Sequence, residues 1–359
     1  MTLDLSLLPD GGMPWITASG AHADIVLSSR VRLARNVAGF AFSPRARDGE
    51  RLRVLQQVRE AAQHTESLSH AVLLRVDEMT ANERRLLHER HLVSRELAEL
   101  DTPNARSGSA VLVGNEAALM VNEEDHLRLQ VFRSGFDIGG AWERAARADR
   151  ELGERLPLAF HREFGFLTSC PTNVGTGLRA SVLVHLPGLV LTQEIGKVLT
   201  GLQQMGLTYR GLYGEGSEVV GNFFQISNQT TLGRSEDELC DHLARVVSHV
   251  ISREEEARRV LIRDAGYIIE DKLWRAYGTL RYARSLGVDE AMNLLSGVRL
   301  AVGLKLVGGL SVYTLNKLLV FSQLGHLSLA EGRALTESEA SLARARYVRG
   351  VLAGEAGSA

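Results

Sequence analysis

The sequence predicts an α+β fold: an antiparallel β-sheet flanked by helices, followed by an all-helical C-terminal domain. Three observations carry this. Short runs that alternate apolar and polar residues at 109–114, 117–122 and 126–132 follow one another across tight polar turns, as consecutive antiparallel strands do. A loop rich in Pro, Asn and Gly at 168–177 feeds a further alternating run at 178–186. From Ser235 an acidic, capped start opens a series of helix-period segments that continues to the end of the chain.

With 359 residues, 45% hydrophobic and 23% charged, the chain has room for two domains, and a boundary near residue 258 divides it into 1–258 and 259–359. A net charge of −2 without long basic runs argues against nucleic acid or a membrane surface as an obligatory partner. The longest apolar stretch, 307–324, is interrupted by Gly308, Gly309, Asn316 and Lys317, so no membrane span is expected. The first residues lack the basic and apolar regions of a secretory signal, which makes the cytoplasm the expected compartment. Two cysteines, Cys170 and Cys240, form neither a disulfide framework nor a zinc motif, and both are expected to be reduced. Arginine carries nearly all positive charge, since only Lys197, Lys272, Lys305 and Lys317 are lysines.

Taken in order, residues 1–27 read as an irregular arm around Trp15, ending in a short strand near Ile25. Helical spacing marks outer helices at 50–65 and 82–100, the second opened by an Asn82 cap. A helix over 136–156 and a strand pair over 158–167 precede the central loop. After it come the strand at 178–186, a helix over 190–205, a strand over 207–213 and a last strand over 219–226. The glycines around Glu215 do not make a P-loop, because no Lys-Ser or Lys-Thr follows at the required offset. Helices are expected at about 235–286, 288–305, 310–323 and 336–353.

Several residues have chemistry to offer. Arg30, Arg32 and Arg35 follow Ser28 and Ser29; forked guanidinium donors suit phosphate oxygens, although on a solvated edge such arginines would carry no meaning. Glu123, Glu124 and Asp125 stand between two apolar strands with Arg128 close behind, which favours a site over solvated surface, tight-turn packing being the alternative. Cys170 is by itself either a small packed residue or a reactive thiol.

The words CPTNVGT (170–176) and NEEDH (122–126) resemble the two most diagnostic motifs of the phosphagen (guanidino) kinases, and the match extends in order through SSRVR (28–32), RGLYGE (210–215) and ISN (226–228). The resemblance implies a glutamine-synthetase-like catalytic domain that transfers the ATP γ-phosphoryl group to a guanidinium nitrogen, with Mg²⁺ shared among the phosphate oxygens. It implies nucleotide binding by Ser28, Ser29, Arg30, Val31 and Arg32, by Arg128, by Arg179 with Ala180, Ser181, Val182 and Leu183, and by Arg210, Gly211, Leu212, Tyr213 and Gly214. His91 would lie beside the base. Glu124 and Glu215 would align the substrate guanidinium, Glu124 being the favoured proton acceptor, and Cys170 as thiolate would add a third contact. No metal-ligating protein residue is assigned.

The phosphate motif begins at Ser28, which leaves no room for the small helical domain that precedes it in the metabolic members, and so a less enclosed site is expected. The loop 167–177, the segment 210–218 and the tail words GLKL (303–306) and LNKLLVFSQLGHL (315–327) look most like the bacterial protein arginine kinases of the McsB type. That branch implies protein substrates with exposed arginines, a zinc-finger activator of the McsA type, a Clp-type protease system, a role in stress response and protein quality control, and a homodimer or higher oligomer. A kinase of free arginine and a non-catalytic binder of phosphoarginine or nucleotide are the rival readings. The branch also carries an Arg-Asp-x-x-Arg-Ala phosphoarginine motif in its tail. Aligning Arg344-Ala345 with its end puts Ala340-Ser341 where Arg-Asp would stand.

Overall fold

The structure, a computed structural model, describes residues 4–99, 106–212 and 219–356. Its N-terminal arm is a succession of 3₁₀ turns, the last at Pro14–Thr17. Then follow β1 (Val26–Arg35), α1 (Asp48–Ala62), β2 (Val72–Arg75), α2 (Ala81–Glu89), α3 (Arg95–Ala98), β3 (Ala110–Val113), β4 (Ala118–Val121), β5 (Leu127–Ser134) and α4 (Ile138–Gly153). The small hairpin β6 (Phe160–His161) and β7 (Gly165–Phe166) precedes β8 (Leu178–His185), α5 (Pro187–Leu191), α6 (Ile195–Gln204), β9 (Leu207–Arg210) and β10 (Phe223–Asn228). Helices close the chain: α7 (Glu236–Tyr282), α8 (Val288–Gly303), α9 (Val312–Phe321), α10 (Leu324–Ala330) and α11 (Glu337–Ala356).

Among the described residues eight strands form one open antiparallel sheet in the order β2-β3-β4-β5-β1-β8-β10-β9. Side chains alternate across a strand, so each strand serves two environments. Val31, Leu33, Leu129, Val131, Ala180, Val182, Phe224 and Ile226 face a core closed by α4 and the first half of α7. The opposite face carries the charged residues described below. A second core, from Leu261 to Leu352, packs the C-terminal helices on one another and on Leu27, Leu183 and Phe223. Across the join, Glu254 accepts hydrogen bonds from Gly188 N and Leu189 N at the start of α5 (both 2.9 Å) and from Arg258 Nε (2.8 Å). Arg258 in turn reaches Asp24 in the N-terminal arm (2.9 Å).

Four local expectations are corrected. β1 is ten residues long, not a short strand near Ile25, and runs through the whole arginine motif. Thr80, not Asn82, caps α2, because its hydroxyl accepts from Glu83 N while Glu83 returns a bond to Thr80 N. The expected helix 82–100 breaks at His91, whose φ of 58° lies in the left-handed region. The expected helix 190–205 is two helices, broken at Gln193, where φ is 61°.

Candidate active site

The period of two in β1 puts Arg30 and Arg32 on one face, and the sheet register brings further arginines beside them. Arg32 stands opposite Arg179 of β8, Ala34 opposite Arg128 of β5, and Gln225 opposite Arg210 of β9. Five arginines distant in sequence thus share one surface because their strands pair in this register. They line a cleft of about 680 Å³ with Arg95 and Arg106, against three carboxylates, Glu96, Glu123 and Glu124.

Burial and crowding both act on these guanidinium groups. Burial, with Arg179 and Arg128 nearby, pushes the Arg30 guanidinium down to about 9. Arg32 is pushed well below its ordinary value by burial and by the same cluster of cations. Arg30 donates to Gln225 Oε1 (2.9 Å) and lies over the Phe132 ring, 5.3 Å from its centroid. Arg179 donates to Ser227 Oγ (3.2 Å). Among the described residues, buried Arg32 Nε has no hydrogen-bond partner. Such a surface is preorganised for a polyanion, whose charge relieves the mutual repulsion.

On the acidic side, a turn between β4 and β5 is held from several directions. Asn122, at φ 57°, donates to Arg51 O and Gly108 O (both 2.9 Å). His126 is structural: Nδ1 accepts from Val37 N and Nε2 meets Ala41 O, both at 3.0 Å. Glu123 is buried and accepts from Ser94 Oγ (2.6 Å) and Arg128 (2.5 Å). Glu124, half-buried, meets the other arm of Arg128 at 3.2 Å and faces the cleft. Burial raises the Glu124 carboxyl, against the lowering influence of Arg128.

Asp125 connects this turn to the central loop. Its Oδ1 accepts from Asn36 Nδ2 and Ser169 N, both at 2.6 Å, which seats the residue just before Cys170. Cys170 opens a 3₁₀ turn, Pro171–Asn173, and its Sγ lies 3.0 Å from Thr172 Oγ1 at the cleft wall. Two glycines let the loop lie flat. A Cβ on Gly175, at φ 113°, would meet Thr231 O at 2.3 Å, and one on Gly177, at φ 61°, would meet Ala34 O at 2.6 Å.

Deeper in, Ser28, Ser181, Leu183 and Leu212 border a small cavity with Arg30, His91, Trp15 and Phe132. His91 is kept neutral by burial, with Arg30 adding to the effect. Four residues assigned to nucleotide binding turn their side chains elsewhere. Ser29 bonds to Gly135 O (2.9 Å) and accepts from Asp137 N (2.9 Å), while Val31, Ala180 and Val182 pack in the core beneath the sheet. Gly211 follows directly on β9. Tyr213, Gly214 and Glu215 lie outside the described residues. Sequence reasoning missed Gln130 and Phe132, though they alternate with Arg128 on β5. It also missed Ser94, Trp15 and Gln225, which only tertiary packing brings here. Among the described residues no group of three His, Cys, Asp or Glu side chains is placed to hold a metal ion, and no helix is long and apolar enough to cross a membrane.

An open antiparallel sheet with an arginine-lined face, an acidic turn and a cysteine loop defines the guanidino phosphotransferase class, and comparison with known proteins agrees. The family described as ATP:guanido phosphotransferase, C-terminal catalytic domain, matches residues 53–257, and the protein-arginine kinase McsB C-terminal domain matches 267–358. Between the two matches α7 is kinked at Ala265. Lombricine kinase has a similar structure, with a TM-score of 0.58 at 25% identity over 68% of this chain and 71% of its own. The duplicated taurocyamine kinase of Schistosoma mansoni gives 0.59 at 26% over 71% of this chain and 35% of its own. The protein-arginine kinase of Moorella thermoacetica is 44% identical over 354 residues, 98% of this chain and all of that protein. That of Symbiobacterium thermophilum is 44% identical over 340 residues, 93% of this chain and 95% of its own. The chain belongs to the protein-arginine kinase family of ATP:guanido phosphotransferases, and it is a kinase.

Proposed function

We propose that the chain transfers the γ-phosphoryl group of ATP to arginine side chains of proteins. The observation that carries this is the facing of five arginines, on four strands of one sheet, by Glu124 and Cys170 across one cleft. Arg30, Arg32, Arg128, Arg179 and Arg210 bind the triphosphate, and His91 with Ser28, Ser181, Leu183 and Leu212 borders the base end. Ser29, Val31, Ala180 and Val182 contribute through the strands they hold in place. Gly211, Tyr213 and Gly214 lead the chain to Glu215, which with Glu124 and Cys170 grips the acceptor guanidinium.

The acceptor nitrogen is a poor nucleophile while it shares a delocalised cation of pKa about 12.5–13.8. Glu124 aligns it with the γ-phosphorus and takes its proton as the P–N bond forms, while the bond from the γ-phosphorus to the β,γ-bridging oxygen breaks and ADP leaves. The arginines stabilise the equatorial oxygens, so positioning and charge supply most of the rate. Mg²⁺ suits this donor set as an ion arriving on the nucleotide: magnesium is commonly held by substrate phosphates and one or two carboxylates, and among the described residues the cleft offers carboxylates but no metal-ligating cluster.

In the same proposal the chain is a cytoplasmic enzyme of stress response and protein quality control, organised as 1–258 and 259–359 and working as a homodimer or higher oligomer. A McsA-type zinc-finger activator and a Clp-type protease system are its proposed partners. Labelled ATP supplied with either an arginine-rich protein or free arginine tests the central claim. Acid-labile label on arginine side chains of the protein is expected; label on free arginine alone would make it a phosphagen kinase, and label on neither a binding protein.

A further inference from the structure

We infer that His326, in the C-terminal helices, is a positioning residue for nucleotide binding: with Glu89 and Arg90 it fixes the backbone that presents His91 to the cleft. The inference rests on the proposed nucleotide role of that cleft. Three consecutive residues at the end of α2 divide the task. Glu89 is buried and accepts three hydrogen bonds from the start of α10: from Gly325 N (2.8 Å), His326 N (3.2 Å) and His326 Nδ1 (2.9 Å). Arg90, also buried, donates from Nε to His326 Nε2 (3.1 Å) and from a terminal nitrogen to Gly11 O, with its guanidinium 5.7 Å from the Phe321 ring centroid. His91 then turns into the left-handed region and borders the cleft beside Arg30.

The bonds demand one state of His326. Its Nδ1 carries the proton given to Glu89, and its Nε2 keeps the lone pair that Arg90 needs. The neutral ring therefore serves both neighbours at once. The residue before it approaches α2 closely, since a Cβ on Gly325 would come within 2.7 Å of Glu89 Oε2 and 3.1 Å of Leu86 N. On its other side His91 is fixed by an edge-on contact with Trp15, 5.2 Å between centroids, and by a bond from Gln130 Nε2 to its carbonyl (2.9 Å). Arg90 holds Gly11 in the same arm that carries Trp15. The arm, α2 and the α9–α10 corner thus converge on His91, and among the described residues His326 is the one side chain bonded to both residues preceding it.

A non-helical, non-glycine conformation persists only where its surroundings determine it, so loosening His326 is expected to let residues 89–91 relax and His91 leave the base end. The test is calorimetry of ATP binding to the full chain, with steady-state kinetics alongside. His326→Leu, which removes both bonds, is expected to weaken ATP binding and raise KM for ATP by roughly tenfold, with kcat at saturating ATP nearly unchanged. His326→Gln, whose carbonyl can accept from Arg90, is expected to restore part of the affinity, which simple loss of packing would not do. Glu89→Gln, nearly isosteric, repeats the test should His326→Leu fail to fold. Unchanged ATP affinity in folded His326→Leu and Glu89→Gln, or a fall in kcat alone, would overturn the inference. Failure of the parent protein to bind ATP would instead strike at the proposed function, so the two failures are separable.

Discussion

Arg32 and Glu124 hold opposite ends of the proposed reaction. Arg32 is a cation in a crowd of cations with a buried Nε that no atom of the described residues accepts, so a phosphate oxygen is the partner its position calls for. Arg32→Ala is expected to weaken ATP binding by about 10- to 150-fold, on the scale of one or more charge-assisted hydrogen bonds at about 1.5–3 kcal/mol each. Arg30→Ala and Arg179→Ala are expected to weaken it as well, and calorimetry on the three variants decides. Parent-like affinity in all of them would make these arginines structural. In the proposed reaction Glu124 faces the acceptor instead. Glu124→Gln is expected to cut turnover by about 10²–10⁴-fold while ATP affinity holds, as measured by radiolabel transfer. The pH dependence has a definite sign. Burial raises the Glu124 carboxyl, and only its ionised form accepts a proton, so kcat is expected to climb with pH through a limb lying above the ordinary 4.5. That limb is expected to vanish in Glu124→Gln.

At the level of elements, the site depends on where strands end and how one loop lies. The loop from Thr168 to Gly177 is fastened at one end by Asp125 and at the other by Thr231, whose hydroxyl donates to Thr172 O (2.9 Å) and Val174 O (2.7 Å). Gly175 passes so close to Thr231 that no side chain fits between them. Gly175→Ala therefore combines a disfavoured φ with a backbone clash, and is expected to cost about 1–3 kcal/mol of stability. Because the displaced loop carries Cys170, turnover is expected to fall as well. Urea denaturation beside the kinase assay separates the two effects: a parent-like midpoint with full activity would mean that the loop accommodates a methyl group freely.

For the molecule as a whole, the tail raises the question of a second site. The expected phosphoarginine motif survives only as Arg344-Ala345, and Arg344 is 1% exposed. Its Nε donates to Ser322 O (2.9 Å) and a terminal nitrogen to Leu286 O (2.8 Å), so the guanidinium ties α11 to the corners before α8 and α10. Ala340 is fully buried, and Ser341 Oγ bonds back to Glu337 O (2.9 Å). Nearby cations are engaged too: Arg333 with Glu339, Arg346 with Glu331, and Arg349 with Ala283 O. Kinase rates on an arginine-rich protein are accordingly expected to stay flat as free phosphoarginine increases. Arg344→Ala removes the guanidinium donor from two carbonyls of buried residues and is expected to lower stability by about 1–3 kcal/mol for each, read from the denaturation midpoint. Phosphoarginine activation that disappears in Arg344→Ala would show a working second site and refute this account of the tail.

The sequence by itself determined the fold class, the order of most elements and the family, because alternation, caps and turn residues are local and the motifs are contiguous words. It also determined Arg30, Arg32, Glu124 and Cys170 as candidates. Tertiary structure alone decided which residues of those words face the cleft. Ser29, Val31, Ala180 and Val182 belong to the same motifs as the arginines, yet the pleat sends their side chains to the other side, a consequence of strand phase that a motif does not record. Sheet register alone set Arg32 against Arg179, and packing alone joined Glu89 and Arg90 to His326, more than two hundred residues away. Contacts of that separation depend on how distant elements pair, and no local pattern in the chain encodes them.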